Sequence, residues 1–184
     1  MDFAIDKRIP SQTPRDRAVD LPRIEAAVRE ILIAIGENPD RDGLRDTPSR
    51  VARAYQELSA GLREDSSAHL KKVFDYEGTA SVCVKDIEFF SLCEHHMLPF
   101  FGKVSISYKP KGKKVFGLSK LARLVEGLSR RLQVQERLTS EIADAVMGSG
   151  CAESVSVEVE AQHMCMSMRG AKSPSAMTIT VEQR

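Results

Sequence analysis

Histidine is scarce in this sequence, and three of its four copies lie in two short segments that also contain cysteine. The segments are residues 93–96 (CEHH) and residues 163–165 (HMC). Thiolate sulfur and imidazole nitrogen are ligands that zinc prefers, in tetrahedral geometry. Cys93 and His96 have the spacing of a short turn that lets both side chains converge on one ion, and Cys165 arrives from a distant strand as the third ligand. This clustering predicts a zinc site.

Three protein ligands leave the fourth position of a tetrahedral zinc open. An open position is typical of catalytic zinc, whose bound water has a pKa of about 7. His95 and His163 then stand beside the ligands, where imidazole is well suited to proton transfer. The alternatives are a closed structural site, with His95 or His163 as fourth ligand, and a Cys165 that is simply buried on an apolar strand face. The clustering favours a catalytic site for hydrolysis of a small substrate, and iron suits the same ligand types in principle.

Basic side chains that suit an anionic substrate occur at three places. Lys120 and Arg123 lie three residues apart at the start of a helix that Ser119 is predicted to cap, where free backbone N–H groups and the helix dipole favour phosphate. The other candidates are Arg169, Arg50 and Arg53. Any one of them alone is interpreted more simply as a solvated surface charge. The net charge of +1 lacks the basic excess of a nucleic-acid binder, so no nucleic-acid partner is expected.

The N-terminal part of the chain is predicted to be helical. One helix begins at Asp20 as N-cap and ends at Gly36, a second begins at Thr47, and a short third one lies near 65–74. Residues 1–19 are polar and lack the apolar stretch of a signal peptide, so we expect a flexible arm and a cytoplasmic protein. No segment has the roughly 18 apolar residues of a membrane span, and no membrane partner is expected. The predicted organisation is an arm (1–19), a helical region (20–75) and a catalytic domain (76–184).

The catalytic domain is predicted to combine an antiparallel sheet with helices on one face. Its predicted elements are strands at 79–90 and 102–109 around a turn at 91–101, a helix from Ser119, a helix ending at Gly148, and strands at 155–165 and 176–182. Along 155–165 the odd-numbered residues, from Val155 to Cys165, share one face. Residues 133–136 are interpreted as a turn between the helices. The order β-β-α-α-β-β is that of an α+β fold.

Four segments resemble the GTP cyclohydrolase I family. They are residues 90–96 (FSLCEHH), 117–123 (GLSKLAR), 133–139 (QVQERLT) and 163–170 (HMCMSMRG). The resemblance extends over about residues 20–182 in the right order, and four separate motifs are far more specific than one. It implies an enzyme that converts GTP and water into formate and 7,8-dihydroneopterin triphosphate, the entry to folate or tetrahydrobiopterin.

The resemblance also implies roles for the metal ligands and the two histidines. Cys93, His96 and Cys165 are the zinc ligands, and zinc-bound water adds to C8 of the guanine before the imidazole ring opens and formate leaves. His95 resembles the residue that protonates N7 during that attack. His163 resembles the residue that moves protons during ring opening and the later ribose rearrangement.

The remaining implied roles concern binding of GTP. Ser119 resembles a hydroxyl near the ribose ring oxygen, and Glu136 with Gln135 anchors the guanine. A cluster of cations is needed for the triphosphate even when net charge is near zero. The residues assigned to it are Lys120, Arg123 and Arg169, with help from Arg50 and Arg53.

The family resemblance further implies a tunnelling fold and a homo-oligomer. Five subunits form a ring, two pentamers form a decamer, and the active sites lie between subunits, which explains why the binding residues are dispersed in the sequence. Family members usually continue through a short C-terminal segment, whereas this chain ends at Arg184. The rival interpretations are another enzyme of the same fold, such as a pterin synthase or a nitrile-reducing relative, and a structural zinc protein without turnover.

Overall fold

The structure is a computed structural model that describes residues 18–184. The chain forms two compact units, the first ending at Arg53 and the second running from Ala54 to Arg184. The predicted flexible arm at 1–19 lies outside the described residues except for its last two positions. None of the helices within 18–184 has the length and apolar character needed to cross a bilayer.

The first unit begins with helix α1, Leu21–Ala34. The Asp20 carboxylate accepts a hydrogen bond from the backbone N–H of Arg23 at 3.1 Å, so the predicted N-cap is confirmed. The helix ends where predicted, because Gly36 adopts a φ of +90°, a left-handed conformation that suits glycine. Helix α2, Thr47–Leu58, begins at the predicted residue and crosses the boundary between the units.

The second unit contains the sheets and the remaining helices. After two short 3-10 helices (Ala60–Arg63 and Ser66–Lys71), its elements are β1 (Val73–Asp75), β2 (Val82–Cys93), β3 (Pro99–Pro110), β4 (Lys114–Phe116), α3 (Leu118–Ser129), β5 (Leu132–Gln133), α4 (Gln135–Gly148), β6 (Ala152–His163), α5 (Met164–Ser167) and β7 (Thr178–Gln183). The main sheet has the order β5-β2-β3-β6-β7, antiparallel except for the short β5–β2 pair. Strands β1 and β4 form a separate two-stranded sheet.

The main sheet is apolar on the face that packs against α3 and α4. Alternate residues of the central strands, such as Val104, Ile106, Val157 and Val159, are fully buried, and they share one core with helix residues such as Leu124. Burying each such aliphatic side chain contributes about 1.5–3 kcal/mol. Because β2, β3, α3, α4, β6 and β7 follow one another around this core, the predicted α+β fold with β-β-α-α-β-β order is confirmed.

Several predicted element boundaries are wrong near the site. The turn predicted at 91–101 is only residues 94–98, since Leu92 pairs with Pro99 and the two strands extend almost to the turn. Ser119 does not cap α3, because the helix begins one residue before it and Gly117 takes the N-cap position. In each case long-range strand pairing or local backbone bonding decided the boundary rather than residue preference.

Two further corrections concern the last motifs. Strand β6 ends at His163, and Cys165 lies in the short helix α5, so the strand face predicted for 155–165 ends two residues early. Residues 133–136 are not a free turn between helices. Gln133 pairs with β2 as part of β5, whereas Gln135 and Glu136 form the first turn of α4.

We predict that Gly102→Ala destabilises the fold. Gly102 lies in β3 between Phe89 of β2 and Ala161 of β6, and an added Cβ would overlap the backbone carbonyl oxygen of Glu160. Relieving the overlap requires two paired strands to separate, at a cost of about 1–3 kcal/mol. Urea unfolding at fixed protein concentration measures this cost. Gly148→Ala is the matched control, because nothing lies within 4 Å of its added Cβ, and an equal effect of both substitutions contradicts the prediction.

Candidate active site

Cys93, His96 and Cys165 come together at one end of the main sheet. Their nearest ligand atoms, two thiol sulfurs and one imidazole nitrogen, all lie within 4.8 Å of one another. Zinc bonds to such atoms at about 2.0–2.3 Å, so the three side chains need to move together only slightly to share one ion. Within residues 18–184 this is the one group of three or more metal-binding side chains, and neither His95 nor His163 belongs to it.

A tight turn holds two of these residues together. Cys93 ends β2, and its N–H donates to the carbonyl oxygen of Leu98 at 2.8 Å. The Cys93 carbonyl oxygen in turn accepts from the N–H groups of His96, at 3.3 Å, and Met97, at 2.8 Å. Met97 has a φ of +55°, which reverses the chain inside five residues. The turn therefore keeps His96 next to the buried Cys93.

Hydrogen bonds connect the same turn to strand β5 and helix α4. The Glu94 N–H donates to the carbonyl oxygen of Gln133 at 3.0 Å, and the Glu94 carboxylate accepts two hydrogen bonds from the Arg137 guanidinium at 2.8 and 2.9 Å. These bonds hold the pKa of the Glu94 carboxyl below its usual range. Both residues lie in segments that resemble the family, but nothing in the sequence indicates that they form a pair. A bidentate Arg–carboxylate pair requires a specific geometry, so it restricts the orientation of the turn.

We predict that Arg137→Ala makes bound zinc dissociate faster. The turn loses its fastening to α4, and removal of supporting contacts around a metal site weakens affinity by about 10–100-fold. Transfer of zinc to a coloured chelator measures the rate. Global stability should change little, because exposed ion pairs contribute little to it.

Two further variants sharpen this test. Asp144→Ala is the matched control, since it removes a comparable ion pair with Arg184 that involves α4 but not the turn. The exchange Glu94→Arg with Arg137→Glu should recover part of the slow dissociation. A release rate for Arg137→Ala equal to that of Asp144→Ala would show that the fastening is unimportant.

His163 ends β6 and faces the core side of the sheet. Its ring stacks on Phe100, which is fully buried, with centroids 4.8 Å apart and planes 6° from parallel. Its Nε2 atom lies 2.8 Å from Oε1 of Gln135. Burial lowers the pKa of His163, and the nearby Glu136 carboxylate opposes part of that shift. His163 and Glu136 therefore lie near each other within one subunit.

His95 lies beside the metal-binding group without belonging to it. Its Nδ1 atom is 3.8 Å from the Cys93 sulfur, and its exposed ring stands nearly perpendicular to that of His96. Burial, and after it the neighbouring Cys93, raises the pKa of the Cys165 thiol, and the positive charge of Arg169 opposes part of that shift. A divalent cation bound there would offset this cost of forming two thiolates.

The Gln135 side chain points into the protein, although the resemblance implies that Gln135 helps to anchor the guanine. Its side chain is 1% exposed, and its amide nitrogen lies within hydrogen-bonding distance of the carbonyl oxygens of Val159 and Thr178 and the hydroxyl of Thr180. Its amide oxygen faces His163. The side chain is thus occupied inside the subunit, whereas the carboxylate of Glu136, the next residue, is exposed.

The candidate residues on α3 are not among the side chains that gather at the metal-binding group. Ser119 and Lys120 lie in the first turn of the helix, and Arg123 lines a cavity of about 480 Å³ between α3 and β2. None of the three metal-binding side chains lines this cavity. Arg50 and Arg53 lie in the first unit, where Arg50 forms an ion pair with Asp46 at 3.1 Å.

An α+β fold whose sheet carries two thiols and an imidazole together at one end is typical of a metal-dependent enzyme. The family model described as GTP cyclohydrolase I matches residues 24–184. The chain belongs to the GTP cyclohydrolase I family. Membership confirms the predicted enzyme and its reaction, the hydrolysis and rearrangement of GTP to 7,8-dihydroneopterin triphosphate and formate.

Individual relatives are similar over most of their length. The GTP cyclohydrolase 1 of Carboxydothermus hydrogenoformans is 58% identical over 162 residues, which cover 88% of this chain and 84% of the relative. The GTP cyclohydrolase 1 of Desulforamulus reducens is 58% identical over 161 residues, covering 88% and 86%. Among solved structures, the archaeosine synthase QueF-Like in the apo form matches with a TM-score of 0.46 and 18% identity, covering 58% of this chain and 95% of that one.

Proposed function

We propose that Cys93, His96 and Cys165 hold a zinc ion for the GTP cyclohydrolase reaction. The observation that carries the proposal is the convergence of two thiols and one imidazole within 4.8 Å, without a fourth member in the group. This donor set suits zinc, and three ligands leave a position for the reactants. When bound, zinc supplies the Lewis acidity that activates water for attack on C8 of the guanine.

His95 and His163 carry the proton transfers in this proposal. The exposed His95 ring lies next to Cys93 of the metal-binding group, where it can deliver a proton to N7 of a bound guanine. His163 is held by the hydrogen bond to Gln135 and by stacking on Phe100, and it moves protons during ring opening and the ribose rearrangement. Neither histidine is needed as a metal ligand.

Glu136 and the basic residues bind the substrate. The exposed Glu136 carboxylate, in the first turn of α4, can accept from two adjacent N–H groups of guanine. The Arg169 guanidinium, close to Cys165, holds phosphate oxygens. The other binding groups are the Ser119 hydroxyl near the ribose, and Lys120, Arg123, Arg50 and Arg53 for the triphosphate.

The active site is completed by a neighbouring subunit. Support comes from Arg123, which lines a cavity that none of the three metal-binding side chains lines. The proposed assembly is a homodecamer of two pentamers, in which α3 of one subunit faces the metal-binding group of the next and supplies the missing phosphate-binding groups. The proposed location is the cytoplasm, supported by four free cysteines that a reducing compartment preserves.

Turnover by purified protein tests the function. Zinc-loaded protein is incubated with GTP, and formate and the fluorescence of oxidised neopterin are measured together. Both should appear, should stop when a chelator removes the metal, and should return when zinc is restored. If neither product forms with zinc bound, the proposed function is wrong.

Mixing two inactive variants tests the shared site. His95→Ala and Arg123→Ala each lack one group, and if these groups meet across an interface, mixed oligomers contain some intact sites. Random mixing after dissociation and reassembly should restore about one quarter of wild-type activity. Mixtures that are as inactive as the separate variants would place both groups in a site formed by one subunit.

A further inference from the structure

The orientation of the Gln135 amide is fixed by its surroundings. Its nitrogen lies 2.9 Å from the carbonyl oxygen of Val159 and 3.0 Å from that of Thr178. Backbone carbonyl oxygens only accept hydrogen bonds, so the –NH2 end must point toward them. The reverse orientation would place the amide oxygen against two carbonyl oxygens in a buried site, where unpaired acceptors are costly.

This orientation determines the hydrogen-bonding role of the His163 ring. The Gln135 amide oxygen faces His163 Nε2 at 2.8 Å, and an amide oxygen cannot donate. Nε2 must therefore carry a hydrogen. A neutral imidazole has one N–H, which leaves Nδ1 with a free lone pair. Turning the ring over would place the Cε1 carbon rather than Nε2 against the Gln135 oxygen, so this hydrogen bond also selects the orientation of the ring, whose plane lies parallel to the buried Phe100 ring.

Neighbouring contacts make Gln135 a rigid support. The Thr139 hydroxyl lies 2.8 Å from the Gln135 carbonyl oxygen and 2.6 Å from the Thr180 hydroxyl, which itself lies 3.2 Å from the Gln135 amide nitrogen. Helix α4 and strands β6 and β7 thus meet at this one side chain. Glu136 is exposed while Gln135 is buried, so the two adjacent residues have different tasks.

We propose that Gln135 is a positioning residue whose amide oxygen accepts a hydrogen bond from the Nε2–H group of His163 and thereby selects the Nε2–H tautomer, in which Nδ1 carries the lone pair. The use of that lone pair in catalysis rests on the proposed function, whereas the tautomer itself does not. Gln135 therefore acts through His163 rather than by contacting the guanine base.

The wild-type protein gives the first test. Nitrogen-15 spectra of zinc-loaded, histidine-labelled protein, recorded at a pH where the ring is neutral, distinguish the two ring nitrogens. The signals of His163 are assigned by their disappearance in His163→Asn. We expect a protonated Nε2 and an unprotonated Nδ1. A protonated Nδ1 overturns the proposal whether or not the protein turns over GTP.

The substitution Gln135→Met separates positioning from guanine binding. It keeps the length of the side chain but removes the acceptor, so Nδ1–H signals should appear and kcat should fall about tenfold, within the contribution of acid–base catalysis. The KM for GTP should change less than about twofold, because substrate contacts are unchanged. A large rise in KM, with kcat and the His163 signals unchanged, would return Gln135 to guanine binding.

Gln133→Met is the matched control for this experiment. Gln133 is also fully buried and lies two residues away, but its amide bonds to Leu128 and Glu141 rather than to His163. It should leave the His163 signals and kcat unchanged. Equal loss of kcat in both variants, with unchanged His163 signals, would mean a general packing effect and contradict the proposal. If Gln135→Met does not fold, the wild-type spectrum still decides the tautomer.

Discussion

Replacement of Cys165 by alanine is expected to remove zinc from the protein and to abolish GTP turnover with it. The change leaves Cys93 and His96 as the two remaining side chains of the metal-binding group. Loss of a ligand should weaken zinc binding by more than about 100-fold, the largest effect usual for a supporting residue. The Lewis acid contributes several kcal/mol to catalysis, so kcat should fall by about a thousandfold or more.

Zinc content per chain and product formation are measured on the same sample. Cys151→Ala is the matched control, because Cys151 is another partly buried thiol, whose sulfur contacts the carbonyl oxygen of Ser149 at the far end of β6. That variant should keep both zinc and activity. Full zinc occupancy in Cys165→Ala would contradict the ligand set, even if turnover were lost.

The second large effect is expected for His95→Ala, which should keep its zinc while product formation collapses. His95 stands beside Cys93 but is not a member of the metal-binding group. Its proposed task is proton delivery to N7 of the guanine, and such general acid catalysis contributes about 10²–10⁴-fold. The expected fall in kcat is therefore of that size, with unchanged metal content.

The zinc measurement decides what His95 does. His69→Ala is the control, since His69 is the one histidine outside the two motifs and lies in a short 3-10 helix. It should retain both zinc and turnover. Loss of zinc in His95→Ala would make this residue a fourth ligand and would favour the closed structural site. Unchanged kcat would remove His95 from the chemistry altogether.

The element order and the metal-binding group could be predicted because their signals are local or compositional. The Asp20 cap, the end of α1 at Gly36 and the alternation along β6 follow from preferences of adjacent residues. The clustering of scarce histidines with cysteines needed no knowledge of the fold. The strand ends near Cys93 and Pro99 could not be predicted, because pairing with β5 and β6 extends these two strands beyond their own residue patterns.

The sequence by itself determined which side chains are available for chemistry and in which order they occur along the chain. It also determined the family to which the chain belongs. Only the tertiary structure decided that Cys165 reaches Cys93 from the short helix α5, and that Arg137 fastens the turn through Glu94. The tertiary structure also decided that the Gln135 side chain forms hydrogen bonds inside the subunit, with residues 24 to 45 positions away along the chain. Hydrogen bonds of this kind depend on distances between remote segments, and those distances exist only after the sheet and helices have packed.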